Sequence, residues 1–392
     1  MRLVPINCVK ENTFLAQTIY DRDNRILLKK GVQLNENLLK KIEENGIYTI
    51  YINDKYSDNE IEDIIKPELR NAAVKSTKQT FDNVEKFASS VNNNRNSLKS
   101  KQLLNSIEQG IQSLNSLSKD IVEEILSNQN LLINLVDIKS LDNYVYQHSV
   151  NVGVLSLVLG MELNLNKHEL YDLCIGAILH DIGKTFLSKE ILYKKSDLTE
   201  AEYAIAKQHP QKGYEYLKAH YNLPGVTKII ALQHHERLDG SGYPNGHQEN
   251  QINKLAKIVA IADTYDAMTS NRPYRKAFSP SEALEFIMGS AGRFFDFRMV
   301  QAFAKKIVPY PVGSLVKLSN NDVGVVEEVY PHFPLRPKIK VIRQRAVSIE
   351  MKIIDLMQEK NLVIEGLQYE APNVSVPHHL QEHNSFKKIN EK

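Results

Sequence analysis

Apolar positions follow three different rhythms along the chain. Up to about residue 53 they come in short β-rich runs, at residues 14–20 and 26–28, on either side of the turn-forming Asp21-Arg22-Asp23-Asn24. A helix is predicted over residues 35–44, stopping at Asn45-Gly46, after which residues 47–52 return to strand character. Residues 61–126 read as polar, Asn- and Ser-rich helix with a break at residues 92–96. Within it Ile107, Ile111, Leu114, Ile121 and Ile125 lie near a 3.5-residue seam, with Ser118 in the missing slot. Fewer than three heptads is short for a dimeric coiled coil, so a helix lying against the next domain is the favoured reading. Residues 127–308 carry helical periodicity almost throughout. Beyond Pro309-Tyr310-Pro311 the period drops to two, with a β-hairpin predicted around Asn320-Asn321-Asp322. Arg336, Lys338 and Lys340 alternate there with Pro337, Ile339 and Val341, the pattern of one solvated strand face.

The predicted architecture is multi-domain and mainly α. A small N-terminal α/β unit (1–53) and a helical connector (54–126) precede a central helical bundle (127–308). A small β-rich domain (309–370) and a frayed tail (371–392) follow. Composition narrows the class further. With 392 residues, 42% hydrophobic and 24% charged, the chain has the profile of a folded protein and not of a disordered or disulfide-scaffold one. Lys plus Arg number 49 against 47 Asp plus Glu, so no global field draws it to nucleic-acid polymers or anionic membranes. Cys8 and Cys174 alone favour a reducing cytoplasm. The best apolar run, residues 150–161, is well short of the roughly 18 residues a membrane span needs. The first residues lack a signal-peptide core, so a soluble, cytoplasmic protein is expected.

The informative side chains are five of the 12 histidines and two aspartates. His148 shares a predicted helix face with Val152, Leu155 and Leu159, where a hydrogen-bonded core histidine is the simpler reading of that residue alone. His180-Asp181 closes an apolar helix beginning near His168, with Gly183 placed to terminate it. A carboxylate there needs a positive partner, which a metal ion supplies. Lys184, within one turn, is a point charge suited to phosphate. His209 ends a helix opened by the capping box of Thr199 and Glu202, with Pro210 expected to stop it. Alone, His209 reads as an ordinary helix-terminal histidine. The adjacent His234 and His235 can meet one ion only at a helix end, and Asp239-Gly240-Ser241-Gly242-Tyr243-Pro244 supplies that irregular backbone. Asp263 lies on the buried side of a helix with Leu255, Val259 and Ala262, and Asp266 follows at i+3. An acid so placed needs a basic partner or a metal.

These seven residues line or end the buried faces of separate helices within 116 residues, and a bundle brings such positions together. Five imidazoles and two carboxylates suit two ions sharing one bridging carboxylate. Nitrogen-rich ligation favours Fe, Mn, Co, Ni or Zn over Mg or Ca. A dinuclear transition-metal hydrolase site is predicted.

His-Asp-Ile-Gly-Lys at 180–184, His-Pro at 209–210 and His-His-Glu-Arg-Leu-Asp-Gly-Ser-Gly-Tyr-Pro at 234–244 resemble the signature of the HD-GYP domain. So does Ala-Asp-Thr-Tyr-Asp-Ala-Met-Thr-Ser-Asn-Arg-Pro-Tyr-Arg at 262–275. HD-GYP proteins are a branch of the HD phosphohydrolase superfamily whose members hydrolyse cyclic di-GMP, and the resemblance covers about residues 130–308. It implies an HD-type bundle with one ion on His148, His180, Asp181 and Asp263. A second ion would sit on His209, His234 and His235 with Asp181 as the bridge. Fe or Mn lead the metals implied, ahead of Ni, Co and Zn. The resemblance also implies Lys184 on the scissile phosphate, Arg272 and Arg275 on the substrate's phosphates, and Tyr243 in a loop beside the substrate. Tyr144 stands where some members carry a Glu that helps hold a third ion, so two ions are expected. Asn271 replaces a common Asp and Phe297 a common Pro.

The implied activity is a cyclic di-GMP phosphodiesterase in bacterial signalling. A hydroxide bridging the two ions would attack one phosphodiester, giving pGpG, with slower cleavage to GMP as a further step. A second copy or a signalling protein is the candidate partner of the flanking regions. Two alternatives stay open: a hydrolase of another nucleotide or cyclic dinucleotide, and a cyclic di-GMP receptor that binds without cleaving.

Overall fold

The structure, a computed structural model, describes residues 1–10, 13–21, 25–54, 64–90, 98–128, 133, 144–192, 194, 196–221, 223–270, 277–344 and 349–370. The break expected at 92–96, the site residues Arg272 and Arg275, and the tail 371–392 lie outside the described residues.

Short strands open the chain: β1 (Arg2–Pro5), β2 (Phe14–Leu15), β3 (Ile19–Tyr20) and β4 (Ile26–Leu28). Helix α1 (Glu36–Glu44) and strand β5 (Thr49–Asn53) complete this unit. β5 is flanked by β1 and β2, both antiparallel, and β3 pairs with β4. The Asn35 side chain caps α1 by accepting the Leu38 N–H, and Gly46 with φ +75° reverses the chain after it. Val4, Leu15, Ile19, Ile42 and Ile50 form the core between sheet and helix.

Two long helices follow, α2 (Pro67–Ser90) and α3 (Leu98–Ser127). The Ile107–Ile125 seam of α3 is buried, and Ser118 fits it because its hydroxyl donates to the Leu114 carbonyl at 2.7 Å. α3 packs against α2 and against α5 (Lys167–Leu179), while α2 also packs on α4 (Tyr144–Glu162). Apolar side chains of α2 and α3 thereby join one continuous core with those of the helices that follow. α4 is buried on every side from His148 to Gly160, which makes it the central helix of the bundle.

The remaining helices are α6 (Lys189–Leu192), α7 (Glu200–Ala206), α8 (His209–His220), α9 (Gly225–Gln233), α10 (Lys254–Thr269), α11 (Pro280–Gly289) and α12 (Phe297–Lys306). Capping boxes start three of the bundle's helices, at Asn166/Glu169, Thr199/Glu202 and Ser279/Glu282. Pro210 corrects the sequence-based expectation. It does not stop α7, which ends at Ala206; it occupies the first turn of α8. Its fixed φ suits that turn, and the N–H it lacks would have had no helical partner there.

Strands β6 (Leu315–Leu318), β7 (Val323–Glu328), β8 (Lys338–Gln344), β9 (Ile349–Asp355) and β10 (Ile364–Leu367) form an antiparallel sheet in the order β10-β6-β7-β8-β9. The predicted hairpin is β6–β7, turning at Asn321 with φ +67°. Val316, Leu318, Val326, Ile339, Val341 and Ile354 fill one face, and Lys338 and Lys340 alternate away from it. No helix among the described residues is long and apolar enough to cross a membrane.

Candidate metal centre

Local sequence chemistry delivers each polar side chain to the middle of the bundle. His148 projects from α4, His180 caps the C-terminus of α5, and Asp181 follows in the turn into the 3-10 segment Ile182–Phe186. His209 is the first residue of α8, His234 caps the C-terminus of α9 with His235 next, and Asp263 lies on α10. Two glycines make these approaches feasible. A Cβ on Gly183 would lie 1.9 Å from the His209 carbonyl oxygen, so only glycine lets the start of α8 close on Asp181. A Cβ on Gly242 would meet the Arg237 nitrogen at 2.4 Å and the His235 carbonyl oxygen at 2.5 Å. That contact folds the 239–246 loop back over His235. The buried Glu236 carboxylate holds the loop by accepting the Asn245 and His247 N–H groups at 2.8 and 2.9 Å.

The seven side chains form two lobes joined by their aspartates. Ligand atoms of Asp181, His209, His234 and His235 lie within 4.8 Å of one another, as do those of His148, His180 and Asp263. Asp181, with its side chain 1% exposed, presents a different oxygen to each lobe. Oδ2 is 3.3 Å from His180 Nε2 and 3.8 Å from His148 Nε2, while Oδ1 is 3.3 Å from His209 Nε2 and 3.8 Å from His234 Nε2. Asp263 spans the same divide, with Oδ1 3.0 Å from His148 Nε2 and Oδ2 3.7 Å from His235 Nδ1.

Hydrogen bonds on the outer nitrogens decide where the imidazole lone pairs point. His180, His209 and His234 each place Nδ1 on a backbone carbonyl, those of Ala177, Ala206 and Ala231, at 2.6, 2.8 and 2.9 Å. In a neutral ring whose Nδ1 donates, Nε2 is left as the acceptor, and here each Nε2 is aimed inward. Two such nitrogens, His209 Nε2 and His234 Nε2, face each other at 3.2 Å. His180 Nε2 and Asp181 Oδ1 are fully buried with no hydrogen-bond partner. Buried polar atoms left unmatched in the middle of a well-packed core are what a cation would satisfy. The donor set fits a transition metal.

The electrostatics run the same way. Burial, and after it the neighbouring imidazoles, holds His234 well below the ordinary histidine value, and burial takes His235 down to about 3. Both are therefore neutral, as ligation requires. Burial alone would raise Asp181, but the neighbouring His180, Lys184 and His209 hold it well below the carboxylate range. Burial likewise opposes ionisation of Asp263, and its contacts with His148, His235 and His180 outweigh that effect. Burial disfavours charge on His148, yet hydrogen bonds to Asp263 and Asp266 raise it above the ordinary value. A cation would displace the proton these carboxylates draw onto it.

The residue-level expectations meet the structure as follows. His148, His180, Asp181, His209, His234, His235 and Asp263 are brought together. Lys184 sits on Asp181 Oδ2 with its side chain 28% exposed. The Tyr243 ring stacks on His235 at 4.6 Å between centroids, and burial, then the nearby charges, pushes its phenol up, so it stays protonated. Tyr144 stacks on His148 at 5.6 Å. Sequence reasoning noted Asp266 only as the i+3 neighbour of Asp263 and missed the residues that orient His148 as a set. Asp266 Oδ2 accepts from His148 Nδ1 at 2.7 Å, Asn151 Nδ2 donates to Asp266 Oδ1 at 3.2 Å, and Arg70 Nη1 donates to Asn151 Oδ1 at 2.7 Å. The signal available was the i+3 spacing of Asn151 from His148 and of Asp266 from Asp263 on otherwise apolar helices. Nothing local points to Arg70.

Parts of the chain are similar to known proteins. Residues 120–299 match the family described as HD domain, and residues 315–368 match the KOW domain associated with HD domain. A cyclic di-GMP phosphodiesterase of Pseudomonas aeruginosa is 37% identical over 245 residues, 61% of this chain and 59% of its own length. A cyclic di-GMP phosphodiesterase of Borreliella burgdorferi is 30% identical over 220 residues, 56% of each chain. A 3'3'-cGAMP-specific phosphodiesterase of Vibrio cholerae is 40% identical over 166 residues, 42% of this chain and 38% of its own length. The chain thus spans less than two thirds of the length of these curated relatives.

Proposed function

We propose that the chain, whose residues 120–299 match the family described as HD domain, is a metal-dependent phosphodiesterase acting on cyclic di-GMP. The observation that carries the reading is the two-lobed cage around Asp181, with His180 Nε2 and Asp181 Oδ1 buried and unmatched. In this reading His148, His180, Asp181 and Asp263 hold one divalent cation. Asp181, His209, His234 and His235 hold the second, Fe or Mn ahead of Ni, Co or Zn. When bound, such a pair supplies a water activated at neutral pH and positive charge for the phosphoryl oxygens.

This chain's residues do the rest. Asp181 faces both lobes and keeps the two cation positions in register. Lys184 brings a solvent-accessible ammonium to the same carboxylate, where a scissile phosphate entering the cage meets it and its developing charge is offset. Tyr243 covers His235 with a neutral phenol and narrows access for bulk water. Arg272 and Arg275 are assigned to the substrate's phosphates on the family pattern. The first product is pGpG. Residues 127–308 carry the chemistry, 1–53 and 309–370 are accessory domains, and the protein acts in the cytoplasm.

The test is anaerobic purification, elemental analysis, and chromatography of products after incubation with cyclic di-GMP and Mn or Fe. Two equivalents of metal and conversion to pGpG are expected; tight binding without product would turn the reading into that of a receptor. Similarity to the 3'3'-cGAMP-specific enzyme gives a second reading, a different cyclic dinucleotide. Relative kcat/KM for cyclic di-GMP and 3'3'-cGAMP decides between them.

A further inference from the structure

We propose that Lys207, mounted between Tyr203 and Tyr243 at the rim of the cage, is a binding site for the second, non-reacting phosphate of a two-phosphate nucleotide substrate. The inference rests on the phosphodiesterase reading and deepens it. A cyclic dinucleotide carries two phosphodiesters, and only one can occupy the cage at a time. The other is an anion at a distance from the reacting atoms, and contacts to such remote groups position the substrate for reaction.

Lys207 is the C-cap of α7, two positions before His209. Its ammonium lies 4.5 Å from the Tyr203 ring centroid and 5.8 Å from that of Tyr243. The Tyr243 ring in turn stacks on His235 at 4.6 Å and stands edge-on to His209 at 6.4 Å. Rings and cation therefore form one continuous surface from the cage outward to Tyr203, which is 48% exposed. The neighbouring lysines are committed elsewhere, Lys184 to Asp181 and Lys194 to Glu202. Among the described residues Lys207 makes no ion pair. An ammonium resting on aromatic faces has its flexible stem restrained while its other side stays open to an anion. The exposed Tyr203 ring beside it offers a nucleobase a stacking surface, which any base can use. Cation and ring together fit a nucleotide phosphate with its base, and α7 and its C-terminal cap carry both.

The experiment measures steady-state kinetics of the full chain loaded with Mn, with cyclic di-GMP as substrate, for wild type, Lys207→Met, Lys207→Arg and Tyr203→Leu. Bound metal is determined in the same samples. Lys207→Met is expected to raise KM about tenfold while kcat moves far less, Lys207→Arg to restore most of the loss, and Tyr203→Leu to raise KM about threefold. The KM of wild type should also rise more steeply with salt than that of Lys207→Met. An unchanged KM in Lys207→Met overturns the proposal, as does loss of bound metal in that variant, which would make Lys207 a support for His209 instead. Wild-type enzyme that fails to open cyclic di-GMP defeats the phosphodiesterase reading itself, a result read separately from any variant.

Discussion

Carboxylates in the helical bundle and in the C-terminal sheet meet their partners under opposite conditions. In the bundle, Asp181 and Asp263 have side chains 1% and 10% exposed, and they face neutral or shared-proton imidazoles across gaps of 3.0–3.8 Å. In the sheet, Asp322 and Glu365 pair with Arg343 and Lys317 at 2.7 and 2.8 Å at the partly exposed surface. The sheet packs around a cluster of apolar side chains, whereas the core of the bundle gives volume to seven ligand-type side chains. Exposed pairs are nearly neutral for stability, and a buried unmatched group is costly unless something else satisfies it. Polar atoms of the first kind keep a surface soluble. Those of the second kind mark where a ligand completes the fold.

The sharpest way to break this contrast is at the bridge. Asp181→Ala should lower turnover of cyclic di-GMP by about 10³-fold or more and remove metal from both lobes, since one side chain faces each. Near-normal turnover with two metals retained would show that the cage is only a polar core. Gly183→Ala tests whether packing brings α8 to Asp181. Its Cβ has no room before the His209 backbone, and a loss of about 3 kcal/mol or more in denaturant unfolding is expected.

Asp266→Ala leaves His148 Nδ1 without its acceptor. Metal affinity, followed by chelator competition, should fall about 10- to 100-fold, with the melting temperature of the metal-free protein less affected. Arg70→Ala acts one step further out, through Asn151, and should weaken metal binding by about threefold in the same assay.

The sheet supplies the smallest effect. The Arg343 hydrogen bond holds Asp322 below the usual carboxylate value, so its stabilising contribution is present above the ordinary pKa of about 3.9 and is lost as pH falls through the lower folded value. Asp322→Asn should cost less than about 1 kcal/mol near neutral pH, and the difference from wild type in denaturant melts should vanish in acid. A cost of several kcal/mol would mean that the sheet uses its carboxylates as the bundle does.

Much of the fold was legible because it is locally encoded. The capping box at Thr199/Glu202, the Asn35 cap that opens α1, the Gly46 stop and the period-two runs after Pro311 all act within one turn or one strand. Pro210 misled because a proline satisfies a helix stop and a helix first turn equally, and only the backbone on both sides chooses. The relay from Arg70 to His148 had no local signature: its first link joins residues 81 apart and exists because α2 lies on α4.

By itself the sequence determined which chemistry was on offer: five imidazoles and two acids at the ends or on the buried faces of helices, and a loop that ends α9 irregularly. Those properties follow from side-chain type and from backbone torsions over a few residues. Which oxygen of Asp181 faces which histidine was decided only by tertiary structure. So was the tether that links the metal centre to α2, because such contacts depend on how rigid helices cross, and a crossing is set by packing summed over many distant residues.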